Sequence, residues 1–162
     1  MKFTAFLAAA LVPAASGFFL EIKDQDLALI KYVRITYRYL GGSAGWGPDA
    51  PYMGVTLDKS GSLTSTADLG KVYFRKEDGR QGWWQAAFSL LDAPRKDDIT
   101  GPFAVEGEKL VYKGTQAPKA VWTFCPDTDP GNDVRYWDMY LTTEDGTPFK
   151  CKNNVAVSVP VL

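Results

Sequence analysis

Any chemistry in this chain has to be built without histidine, because the sequence contains none. A Ser-His-Asp or Cys-His nucleophile pair is therefore excluded, as are His-ligated zinc and non-haem iron sites. The side chain that ordinarily titrates near neutral pH is missing, which leaves carboxylates, Lys and Tyr for acid/base work. Three acidic pairs have the composition that glycoside hydrolysis uses: Asp97 with Asp98, Glu106 with Glu108, and Glu144 with Asp145. Each sits beside Gly or Lys in a turn-rich stretch, where solvation alone accounts for it. The separation that decides such a mechanism is a property of the fold, so no residue is assigned a catalytic role and no cofactor is implied.

Two further sets could bind rather than react. Asp127-Thr-Asp-Pro-Gly-Asn-Asp133 packs oxygen-bearing side chains around a Gly. Asp127, Asp129 and Asp133 are thus candidate ligands for a hard cation such as Ca²⁺. The segment lacks the distal bidentate Glu of an EF-hand loop, and a solvated turn uses the same residues. The aromatic set is Trp46, Trp83, Trp84 and Trp137. Trp83 and Trp84 are adjacent, so on a strand they point to opposite faces and one of them is free to meet a ligand. Trp137 follows Tyr136 in the same way. Trp46 lies in the glycine-rich run from 41 to 48, read as a loop, where an aromatic side chain is available for contact. A flat exposed ring is a platform for the C–H face of a sugar. Core packing is the competing use of every one of these rings.

Cys125 and Cys151 are the only cysteines. A pair in a small domain bound for an oxidising compartment reads as a disulfide, and a catalytic thiol lacks a histidine to activate it. The address is at the N-terminus. Lys2 precedes an apolar stretch from Phe3 to Val12, and Ala15 and Gly17 supply small side chains before Phe18. Residues 1–17 are expected to be a signal peptide, leaving 18–162 as one secreted domain. The apolar stretch is too short to span a bilayer, so no membrane attachment is expected after cleavage. The C-terminal residues lack the spacer and tail of a lipid-anchor signal, and no Asn-x-Ser/Thr acceptor occurs. Net charge is −1 with no run of three Lys or Arg, so nucleic acid finds no electrostatic footprint.

The elements that must position these groups are strands. With 46% hydrophobic and 14% aromatic residues in 162, the chain has the apolar surface for a real core. Alternating β-branched and aromatic residues predict strands at 32–39, 52–57, 71–75, 83–90, 103–105, 109–112, 120–125, 135–141 and 154–159. Turn signals separate them: 58–61, 77–79, 106–107, 129–131 and 144–146, with Gly in the positions that need φ > 0. One short helical turn is expected around 65–69. Strands every 10 to 15 residues without a 3.6-residue stripe predict an all-β domain. The alternatives are a β-trefoil-like barrel and a β-sandwich, with length and strand count leaning to the trefoil.

Several short stretches resemble small ascomycete cell-wall proteins of the PhiA type. These are Ser62 to Phe74, Leu110-Val-Tyr-Lys-Gly114, Val121 to Pro126 with its Cys-Pro, Arg135 to Tyr140, and Thr147 to Cys151. The likeness covers about the last two-thirds of the mature chain. The N-terminal cysteine pair of other members is absent, and residues 18–60 and Trp83-Trp84 have no counterpart. The resemblance implies a secreted, non-enzymatic fungal protein associated with the cell wall or released outside, with no catalytic residues to transfer. Expected partners are cell-wall polysaccharide or, if the chain acts as a secreted effector, a host protein. A carboxylate-based glycan-active enzyme is the third alternative.

Overall fold

The computed structural model describes residues 17–23, 34–38, 41–46, 54–76, 78–90, 92–126, 137–143 and 151–158. Among them every regular element is a strand. In chain order these are β1 (Phe18–Phe19), β2 (Glu21–Lys23), β3 (Arg34–Arg38), β4 (Gly41–Trp46), β5 (Gly54–Leu57), β6 (Leu63–Ser65) and β7 (Lys71–Lys76). They continue as β8 (Trp83–Phe88), β9 (Phe103–Glu106), β10 (Lys109–Tyr112), β11 (Val121–Pro126), β12 (Trp137–Thr142) and β13 (Ala156–Ser158). The expected helical turn after β6 is a hydrogen-bonded turn instead, closed by the Ser65 amide donating to the Gly70 carbonyl at 2.9 Å.

Two sheets result. The larger has nine strands in the order β1-β5-β6-β7-β8-β12-β4-β3, with β11 on the free edge of β12, and it curls into a half-barrel. Its hinge is β12, which changes partner along one edge. Tyr140 to Thr142 pair with β8, whereas Trp137 and Asp138 pair with β4. The smaller sheet runs β2-β13-β10-β9. As expected the domain is all-β, a curled half-barrel sheet with a second sheet beside it.

The core fills the space between the sheets. Phe74, Trp84, Phe88, Trp122, Phe124, Met139 and Leu141 from the large sheet meet Phe103, Leu110, Val155 and Val157 from the small sheet and its approach. Phe103 is the aromatic link, 5.5 Å from Phe74 and 6.1 Å from Trp122, centroid to centroid. Stacked and tilted pairs at such distances add to the area they bury.

Two turns behave as read. Asp58 caps its own turn by accepting the amides of Ser60 at 2.8 Å and Ser62 at 2.9 Å. Gly61 closes that turn at φ 81°, and a Cβ there would come within 2.8 Å of Phe103 O. The β9–β10 hairpin turns through Gly107 at φ 62° and Glu108, the pattern of a type II′ connection.

The disulfide is formed. Cys125 and Cys151 are bonded at 2.04 Å, with Cα atoms 4.2 Å apart. The bridge sits where the chain crosses from the large sheet to the small one. Next to it Phe124 and Lys152 exchange backbone hydrogen bonds of 2.9 and 2.8 Å, and Val155 N–H donates to Trp122 O at 3.0 Å. Thr123 Oγ1 adds a 2.7 Å bond to Asn153 Oδ1. Residues 151–155 are thus zipped along β11 before they enter β13.

Candidate functional site

The sequence candidates separate once placed. Trp83 and Trp84 do point to opposite faces, Trp84 into the core cluster and Trp83 away from it. Yet both are buried, at 1% and 6% exposure, so the expectation that one of them presents a free face is corrected. The large sheet is covered on both sides here. Arg80 lies over the Trp83 ring at 3.9 Å, and Tyr140 meets that ring edge-on at 5.5 Å. Trp84 spends its indole N–H on Asp97 O at 3.1 Å. Trp137 is half-buried and packs against the core.

Trp46 is a second correction. The glycine-rich run that contains it is not a loop but β4, paired with β3 along Gly41 to Gly45 and with Trp137 at Trp46 itself. Glycine is a poor strand former, and it is tolerated here because neighbouring backbones on both sides supply the pairing. The Trp46 side chain lies outside what is described, as do Asp127, Asp129, Asp133, Glu144 and Asp145. Among the described residues no three acidic, Cys or His groups gather as a metal would require.

The two remaining carboxylate pairs diverge. Asp97 is exposed, whereas Asp98 is buried and accepts the amides of Arg95 at 2.7 Å and Lys76 at 3.0 Å. Arg75 pairs with Asp92, donates to Ala93 O at 3.0 Å and approaches Asp98 at 3.5 Å. Tyr73 donates its hydroxyl to Asp92 O at 3.0 Å, and burial pushes its phenol above the usual range. These bonds fasten the loop 92–98 onto β7. Asp98 is committed to two backbone amides and Asp92 to Arg75. Glu106 and Glu108 are exposed at the hairpin turn, and Glu106 is ion-paired with Lys113.

That ion pair borders a groove that sequence reasoning missed. Among the described residues β10 and β13 pair at Lys109 and Ser158 alone, and from there toward Tyr112 they part. The space between them is a half-open groove of about 430 Å³. One wall is β10 from Lys109 into Lys113, the other is Asn154 to Val157, and Ala120 to Trp122 close the floor. Trp122, at 6% exposure, holds the walls in place from below. Its Nε1–H donates to Leu110 O at 2.8 Å on one side, and its carbonyl accepts Val155 N–H on the other. Tyr112 is the half-buried aromatic ring on the lining, and Glu106, Lys109, Lys113 and Asn154 supply the polar groups. The volume and the mixture of one accessible ring with a few polar groups suit a small or chain-like polar ligand. None of the sequence signals pointed to this groove.

No family model, no curated protein and no solved structure matches the chain.

Proposed function

We propose that this chain is a secreted, non-enzymatic fungal protein of the cell wall or extracellular space that binds glycan in the groove between β10 and residues 154–157. The observation that carries this reading is the groove itself, with Tyr112 on its lining and charged and amide side chains at its rim. Sugars present both a C–H face and a ring of hydroxyls, and such a surface answers each of them. The disulfide at the sheet junction agrees with an oxidising destination. The absence of histidine and the committed state of Asp98 and Glu106 favour binding over hydrolysis. The resemblance to ascomycete cell-wall proteins points the same way.

The test is retention of the secreted protein on insoluble chitin, β-1,3-glucan and cellulose, alongside a Tyr112→Ala variant. Selective retention by one polymer, lost in the variant with the fold intact, is the expected result. Passage through all three polymers would overturn the glycan reading and move the search to a host protein partner.

A further inference from the structure

Tyr112, half-buried on the groove's lining, has beside it a neighbour whose only contribution is the side chain it lacks. Tyr112 stands opposite Phe103 in the β9–β10 ladder, and the two rings lie 5.6 Å apart at 55°. The far end of the phenol folds back over Gly114. A Cβ placed on Gly114 would fall 2.5 Å from Tyr112 Cζ and 2.8 Å from Cε2, with the hydroxyl oxygen nearer still. Real Cβ atoms do not come this close, so with a side chain at 114 something must shift, and the atoms nearest are the far end of the Tyr112 ring. Gly114 has no positive φ, so its backbone conformation is open to any residue and space is what the position requires. Next to it, Lys113 N–H is tied to Pro102 O at 2.8 Å.

We infer that Tyr112 is the residue that selects the ligand in this groove and that Gly114 is its positioning residue. The ligand class is a polymer of pyranose rings with equatorial substituents. Such rings offer a flat C–H face to the phenol while their hydroxyls reach the polar rim. This rests on the glycan reading above and deepens it. Ring position then matters more than ring presence, because a ring displaced by a methyl group at 114 still lines the groove but no longer lies where the sugar face arrives.

The experiment titrates soluble hexasaccharides of β-1,3-glucan, chitin and cellulose into the full secreted protein by calorimetry. It uses Tyr112→Ala, Tyr112→Phe, Gly114→Ala and the double variant Tyr112→Ala/Gly114→Ala, each first checked for an unchanged far-ultraviolet spectrum and melting temperature. We expect Tyr112→Ala to weaken binding by about tenfold. Tyr112→Phe should stay close to the parent, and Gly114→Ala should lose several-fold. In the double variant the second substitution should add nothing, which is the signature of a residue acting only through another. If Gly114→Ala binds as the parent does, or weakens the Tyr112→Ala background by its full factor, the positioning role is overturned while glycan binding stands. If the parent protein binds none of the hexasaccharides, the glycan reading falls and the selection role falls with it.

Discussion

Two corners of the molecule meet the same problem and end in opposite states. At the loop 92–98 and at the parting of β10 from β13, the backbone leaves its regular ladder. In each case a buried tryptophan donates its indole N–H to a main-chain carbonyl: Trp84 to Asp97, and Trp122 to Leu110. An unpaired buried carbonyl is costly, and Leu110 O, the buried one of the two, needs such a donor. The loop is then shut. Asp98, Arg75 and Tyr73 take up its amides and carbonyls, and Gln116 Nε2 gives Asp97 O a second bond at 2.7 Å. The groove is left open past Leu110, with no strand pair on that edge among the described residues. The chain seals one irregular corner with its own side chains and leaves the other open.

The disulfide gives the largest lever on this contrast, because it lies on the groove side alone. Replacing Cys125 and Cys151 by Ser reopens a loop with a sequence separation of 26 residues. The chain-entropy model puts the loss at about 3 kcal/mol, measurable by denaturant unfolding. Amide exchange should quicken at 152–157, the groove wall, and stay slow at 92–98. Equal quickening at both corners would show that they are one cooperative unit and dissolve the comparison.

A matched pair of substitutions sharpens it. Trp122→Phe and Trp84→Phe each remove one indole donor. Trp122 donates to a buried carbonyl, so its loss should cost about 1–2 kcal/mol. Trp84 should cost less, since Asp97 O keeps Gln116 and lies nearer solvent. A larger loss for Trp84 would mean that the closed corner, not the groove, depends on its indole.

The smallest effect is on pH. Asp92 is held below the usual carboxylate range by its hydrogen bond from Arg75, and Asp58 by the Ser60 hydroxyl and neighbouring amides. A depressed folded value means that the stabilisation is present above the unfolded carboxylate value and is lost as pH falls through the folded one. Melting temperature should therefore decline slightly below about pH 4, and Asp92→Asn should flatten part of that decline. Both carboxylates are exposed and their contribution is screened. If Asp92→Asn instead lowered retention on a glycan, the two corners would be coupled in function.

Much of this architecture was legible in the residues. β7, β8, the β9–β10 hairpin and β11 follow from alternating aromatic and β-branched side chains between turn signals, and the Cys125–Cys151 bridge from the pairing rule. β4 was not, because a run of glycines carries no strand propensity and is recruited by its neighbours. The fate of Trp83 was hidden as well. Alternation sets the face a ring takes, but whether Arg80 lies across that face depends on residues brought together by folding. The groove had no local signal at all, since it is the divergence of two strands more than 40 positions apart in the chain.

The staple at the sheet junction also has a mechanical meaning. A pull on the end of the chain beyond β13 would peel that strand from β2 and β10 one hydrogen bond at a time. It would then travel back along residues 155–152, and at Cys151 it would meet a covalent bond to β11. From there the load enters the β11–β12 ladder at Cys125, one rung from the ladder's end at Pro126. Tension applied from that direction strips the groove wall first and then passes into the half-barrel through the covalent bond.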